Sequence, residues 1–119
     1  MAKHDARLDL LFTSLGDPTR RAILARLARG EASVTDLASA HDMALPSFMK
    51  HLRKLEEAGL ISTTKEGRIR SCALSPEAFA PVEEWLSEQR AIWNDRLDRL
   101  DDYVGNLMRE RMHGTRPED

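Results

Sequence analysis

The segment His41-Asp42-Met43-Ala44 separates two helical stretches and leaves only four residues to join them. That is too short for anything but a turn, so the two helices must cross as a closely coupled pair. Ser33 and Asp36 have the S-x-x-D spacing of a capping box and open the first helix, about Val34 to Ala40. The second opens near Leu45-Pro46 and runs to Ala58, where Gly59 closes it. Phe48, Leu52 and Leu55 fall on one face of this second helix, with Leu45 or Met49 flanking. The opposite face carries Ser47, Lys50, His51 and Lys54, with no carboxylate among them.

A hairpin follows at once. Strand candidates Leu60–Thr64 and Arg68–Leu74 flank Lys65-Glu66-Gly67, where the glycine supplies the positive φ a tight turn needs. Arg68 and Arg70, two apart on a strand, are expected on one face. Upstream, Leu8, Leu11, Phe12 and Leu15 form the apolar stripe of a helix from about Asp5 to Leu15. Asp17-Pro18 starts another that buries Ile23, Leu24 and Leu27 and ends near Arg29-Gly30. Downstream, a long helix is expected from about Pro81 to Arg111. There Trp93, Leu97, Leu100, Val104 and Leu107 step by 4, 3, 4 and 3, the spacing of a coiled-coil-like seam. The chain therefore reads as one domain over 1–111, its last helix included, with 112–119 as a flexible tail.

Charge is unevenly placed. Residues 43–74 carry six basic and three acidic side chains, whereas residues 75–119 carry six and eleven. A local positive patch steers a polyanion even when the net charge is -2. No apolar run approaches the ~20 residues of a membrane span. The opening Met-Ala-Lys-His-Asp lacks the apolar stretch of a signal peptide, so a cytoplasmic location is expected. One cysteine, Cys72, excludes an intrachain disulfide and a zinc site built on several cysteines. No phosphate-binding glycine loop, nucleophile elbow or His/Cys dyad appears, so no enzyme, catalytic residue or cofactor is expected.

The order of elements is that of a winged helix-turn-helix: mostly α, with a small β-hairpin. A major groove about 12 Å wide accepts one helix, and the hairpin tip can reach the adjacent backbone. Double-stranded DNA is the expected partner. The candidate contacts are Ser33, Thr35, Ser47, Lys50, His51, Arg53, Lys54, Lys65, Arg68 and Arg70. Each has a plainer reading: the cations as a solvated helix face, Ser47 as helix-start chemistry, His51 as a packing residue with a satisfied hydrogen bond. A winged helix that binds a protein partner and no nucleic acid is the competing class.

Several ordered motifs resemble the ArsR family of regulators. Gly16-Asp17-Pro18-Thr19-Arg20-Arg21-Ala22-Ile23-Leu24 is similar to the family's "DPTR..IL" opening. Glu31–Ala38 (EASVTDLA) and Leu45–Ile61 (LPSFMKHLRKLEEAGLI) resemble its two helix-turn-helix helices, and Gly67-Arg68 its wing. The likeness covers about residues 8–74. The region of Trp93 and Arg96–Leu100 resembles, less distinctively, a branch that does not sense metals. Met49 departs from the pattern, standing where the family commonly has a small polar residue. The resemblance implies a homodimer that represses promoters until an unknown small-molecule inducer or other signal releases it. It places the dimer interface on the first and last helices, at Leu8, Leu11, Phe12, Trp93, Leu97, Leu100, Val104 and Leu107, and makes the operator an inverted repeat. The family's cysteine metal site would fall at Ser33 and Thr35, which are not soft ligands. Its other site needs histidines in the last helix, and residues 81–111 contain none. No metal and no metal response are therefore expected.

Two further features stay open on sequence. Cys72 reads either as a thiol redox sensor of a redox-responsive repressor or as a small buried residue. Trp85 and Trp93 read either as the lining of an inducer pocket or as interface packing.

Overall fold

A computed structural model describes residues 5–115, with side chains through Met112. The elements run α1 (Ala6–Leu15), α2 (Pro18–Leu27), β1 (Ala32–Ser33), α3 (Val34–Ser39), α4 (Leu45–Glu57), β2 (Ile61–Glu66), β3 (Ile69–Leu74) and α5 (Ala80–Thr115). This is a mostly helical winged helix-turn-helix, as the sequence leads one to expect. The chain divides into two compact units, 1–82 and 83–119.

Local chemistry sets the boundaries in the first unit. The Asp5 side chain accepts from the amides of Arg7 and Leu8 at 3.0 and 3.1 Å, which caps α1. Asp17 accepts from the Arg20 amide at 3.0 Å, and Pro18 fills the first position of α2, where no amide is needed. Ser33 Oγ accepts from the Asp36 amide at 3.0 Å and starts α3. At the end of α4, Gly59 takes φ +76°. The amides of Gly59 and Leu60 then reach back to the carbonyls of Glu56 and Leu55, the Schellman pattern that ends a helix and turns the chain into a strand.

Leu11, Ile23, Phe48, Leu55, Leu60 and Cys72 are fully buried and form the centre of one core. Ala78, just before α5, and Val82, in its first turn, join that core. Truncating a residue such as Leu11 to alanine would cost about 2–5 kcal/mol, because the cavity collapses only in part. The expectation that Leu11 lies at a dimer face does not hold. With no exposed surface it belongs to the core, and Leu8, half-buried, also packs against that core. Phe12 and Leu10 are the large apolar side chains that α1 leaves exposed. The stripe of Leu8, Leu11 and Leu15 is spent inside the unit.

The sheet has three strands in the order β1-β3-β2, in place of the expected two-stranded hairpin. Ala32 and Ser33 pair antiparallel with Cys72 and Ser71. Two residues are too few to show a strand period, so this strand is invisible to pattern reading. The hairpin is also longer than expected. Glu66 pairs with Ile69, so the turn is Gly67-Arg68, with Gly67 at φ +61° and no non-glycine residue at positive φ among the described residues. That is the type II′ pattern, glycine first. Arg68 therefore sits at the tip, not on the strand, and does not share a strand face with Arg70.

In the second unit α5 continues alone. From Glu83 to Met112 every residue is exposed except Gly105, which is half-buried. Trp93, Leu97, Leu100, Val104 and Leu107 are all exposed, as are Ile92, Tyr103 and Met108. Arg99 and Asp95 pair at 3.0 Å one turn apart on this helix. The helix passes the expected end at Arg111 and runs to Thr115, and the rest of the expected tail, 116–119, lies outside the described residues. No helix among the described residues is long and apolar enough to cross a membrane.

Candidate nucleic-acid interface

The helix-turn-helix pair is α3 and α4, and β2-β3 is the wing. A groove of about 530 Å³ is lined by residues of β1, α3, α4 and the wing: Ser33, Val34, Thr35, Met49, Lys65, Arg68, Ile69 and Arg70. Five of the ten candidate contacts thus come together on its walls. Four more, Ser47, Lys50, Arg53 and Lys54, are exposed on α4.

The wing's geometry explains how its cations reach the groove. Lys65 and Arg70 are direct cross-strand partners. By the two-residue period they share a sheet face with Ile61, Thr63, Cys72 and Leu74. Ile61 and Cys72 are buried in the core, and the Thr63 hydroxyl donates to Glu56 of α4 at 2.8 Å. The face carrying Lys65 and Arg70 is therefore the one turned toward the helices. Two like charges directly opposite each other repel. Among the described residues none of Lys50, Arg53, Lys54, Lys65, Arg68 and Arg70 has an ion pair. The three on the groove, Lys65, Arg68 and Arg70, give it a positive potential that an anion can satisfy, and the three exposed on α4 add to the positive charge of this segment.

The polar members have other duties. Ser33 Oγ is committed to the α3 cap, and Thr35 is exposed in the first turn of α3, where free amides point outward. Ser47 stands in the first turn of α4, which has no side-chain cap. Its free amides and hydroxyl are donors close to where base edges lie in a groove-bound helix.

His51 is not among the residues that line the groove. It is half-buried, and its Nδ1 lies 3.0 Å from the Arg20 guanidinium of α2. An arginine can only donate, so Nδ1 is the acceptor and the ring's hydrogen is on Nε2. The Asp17 carboxylate is 3.6 Å from the same nitrogen, near but not hydrogen-bonded. The reason lies in helix geometry: His51 stands about 40° around the helix from buried Leu55. It is therefore at the edge of the packed face rather than on the cationic one.

Arg20 is a residue of this site that the sequence reading misses. It retains only 8% exposure. The signal is present, because Arg20, Ile23, Leu24 and Leu27 follow the i, i+3, i+4, i+7 spacing of a buried stripe. A charge on that stripe needs partners. Asp17 sits beside it, and the bond from the Arg20 amide holds its carboxyl below the usual aspartate range, with the charge of the Arg20 side chain adding to this and burial opposing it.

The metal question turns on donor chemistry. The two positions that resemble the family's cysteines carry hydroxyls, one of them already bonded to the Asp36 amide. Neutral hydroxyls do not fit a soft metal ion. Cys72 has no exposed surface in the centre of β3. Burial, with Glu56 nearby, pushes its thiol pKa up against the opposing effect of Arg70, so the thiol stays protonated. The thiolate is the reactive form, so this is a poor setting for a redox sensor.

The chain is similar to known proteins. A family model described as a helix-turn-helix domain matches residues 15–64. The arsenical resistance operon repressor of Escherichia coli (strain K12) is 33% identical over 105 residues, 87% of each chain. The transcriptional repressor SdpR of Bacillus subtilis (strain 168) is 30% identical over 76 residues, 64% of this chain and 84% of that one. Among solved structures, the crystal structure of an ArsR family transcriptional regulator superposes with a TM-score of 0.72 at 55% identity, covering 74% of this chain and 97% of its own.

Proposed function

The chain belongs to the ArsR family of winged helix-turn-helix transcriptional regulators, and from that premise we propose that it acts as a homodimeric repressor on an inverted-repeat operator, without a metal trigger. That it is a DNA-binding repressor and not an enzyme follows from the family. The finer reading rests above all on one observation: Lys65, Arg68 and Arg70, none with an ion pair among the described residues, line the α3–α4–wing groove, and three more such cations, Lys50, Arg53 and Lys54, are exposed on α4. In this reading α4 enters the major groove, Ser47 lies nearest the bases, and Lys50, Arg53 and Lys54 meet the backbone. Ser33, Thr35, Lys65, Arg68 and Arg70 hold phosphates along the groove wall. Met49 contributes an apolar contact at the centre, suited to a base edge such as a thymine methyl. His51 takes no part in contacting DNA.

The dimer contact is assigned to the exposed apolar positions: Trp93, Leu97, Leu100, Val104 and Leu107 on α5, with Phe12 on α1. A seam of 3.5-residue spacing left exposed in a single chain calls for a second helix. Two copies related by a twofold axis read a twofold sequence. The absence of a metal trigger is argued from the hydroxyls at positions 33 and 35, and the absence of a thiol trigger from the buried, protonated Cys72. The release signal on this reading is a small molecule or another event that changes the dimer.

The test is a titration of duplex DNA at several salt concentrations. Steep weakening with salt is expected from several lysine and arginine contacts to phosphate. Binding indifferent to ionic strength, or no binding to any duplex, contradicts the proposal and favours a protein-interaction module.

A further inference from the structure

Arg20 joins three helices at one point. Its Nε donates to the Ser14 carbonyl at 3.2 Å, one terminal nitrogen donates to the Thr13 carbonyl at 3.1 Å, and the other to His51 Nδ1 at 3.0 Å. Thr13 and Ser14 lie in the last turn of α1, where the helix dipole is negative; their carbonyls accept the amides of Gly16 and Asp17 at 3.2 and 3.3 Å and have a second lone pair for Arg20. A guanidinium cannot shed its charge and donates in a fixed planar fork. Its orientation is therefore set by the α1 carbonyls, and the third arm of the fork is aimed at α4.

We infer that Arg20 is a positioning residue for DNA recognition: it sets the rotation of the recognition helix α4 relative to α1 through His51. This rests on the DNA-binding reading above and deepens it. His51 sits mid-helix, with Lys50 beside it and Ser47 and Lys54 one turn away on either side. A rotation of α4 about its axis carries all of these together, since a helix moves as a rigid rod over such a distance. The core contacts of Phe48, Leu52 and Leu55 hold α4 down but are non-directional. The fork supplies direction. Because α1 also carries the exposed Phe12 assigned to the dimer contact, the same three bonds give the dimer face a direct mechanical link to the DNA-reading face.

The inference separates from a simple stabilising role by what it does to specificity. The full-length protein is compared with His51→Leu, His51→Gln, Arg20→Gln and the Arg20→Gln/His51→Leu double variant. Affinity is measured for a duplex that the wild-type protein enriches from a random-sequence pool and for an unrelated duplex of equal length, with melting temperatures alongside. His51→Leu is expected to lose about tenfold on the enriched duplex and little on the unrelated one. His51→Gln, whose amide oxygen can accept from Arg20, is expected to restore most of that loss. On the Arg20→Gln background, His51→Leu is expected to cost nothing further. Wild-type affinity in His51→Leu, equal losses on both duplexes, or no rescue by glutamine overturns the inference. So does an undiminished His51 effect without Arg20, which would make His51 a direct DNA contact. If Arg20→Gln does not fold, the two single His51 variants decide. If the wild-type protein enriches no duplex, the DNA-binding reading fails and the inference with it; if it does and the variants match it, the inference alone fails.

Discussion

Replacing Lys50 with alanine isolates one cation of the groove surface. Lys50 is exposed on the outer face of α4, has no ion pair among the described residues, and lies outside the core. Its removal should leave stability within about 0.5 kcal/mol, as for other surface changes. Its effect on DNA should be electrostatic. Each phosphate neutralised contributes roughly −0.9 to the slope of log affinity against log salt. If all six cations meet phosphates, one protomer contributes a slope of about −5 and a dimer about −11. Lys50→Ala removes one contact per protomer, so the dimer's slope should become shallower by about 2. The assay is fluorescence anisotropy on one labelled duplex from about 50 to 200 mM salt, a span over which such contacts cost several decades of affinity. The variant should approach the wild-type affinity at the high-salt end. An unchanged slope places Lys50 outside the phosphate contacts. A loss of affinity with an unchanged slope points to a base contact instead.

Three other perturbations probe separate parts of the molecule. Leu97→Asp puts a charge into the α5 seam twice per dimer, which should weaken self-association by roughly a hundredfold or more; sedimentation equilibrium checks this, and an unchanged dimer removes α5 from the interface. Cys72 should resist a thiol-reactive disulfide reagent in the native protein and react fully once unfolded, while Cys72→Ser should leave DNA binding after peroxide treatment unchanged; fast native labelling would reopen the redox mechanism. Asp17 is ionised more readily folded than unfolded, so its charge stabilises above the ordinary aspartate range and that contribution is lost as pH falls through the depressed folded value. Asp17→Asn, which still caps α2, should therefore cost under about 1 kcal/mol at neutral pH, and the gap should narrow below about pH 4; a gap that stays constant with pH in thermal melts would show that the charge plays no part.

The fold is legible wherever one period dominates a segment. The caps at Asp5, Asp17 and Ser33, the apolar stripe of α4 and the glycine after it all carry their message within a few residues. Pattern reading fails where a residue serves two patterns. Leu11 fits an amphipathic stripe equally well whether that stripe faces the core or a second copy, and only tertiary packing decides. His51 lies on the border of two faces, so spacing alone groups it with Lys50 and Lys54 although its nitrogen is bonded to Arg20. Arg20 is masked by its membership in a recognisable run of residues, although its place on the buried stripe of α2 demands partners. Strand β1 has no period to read because it is two residues long, and its pairing with Ser71 and Cys72 joins residues far apart in the chain. The groove itself is a tertiary object, since α3, α4 and β3 each contribute and no local window contains all three.

The central claim is that two copies of the chain present two cationic grooves to one duplex. Selection of bound duplexes from a random-sequence pool, followed by sequencing, measures this directly and needs no operator to be chosen beforehand. The expected result is an inverted repeat whose half-site centres lie about one or two helical turns apart, matching two α4 helices in successive major grooves. Enrichment of a single asymmetric site, or of nothing above the starting pool, would contradict it.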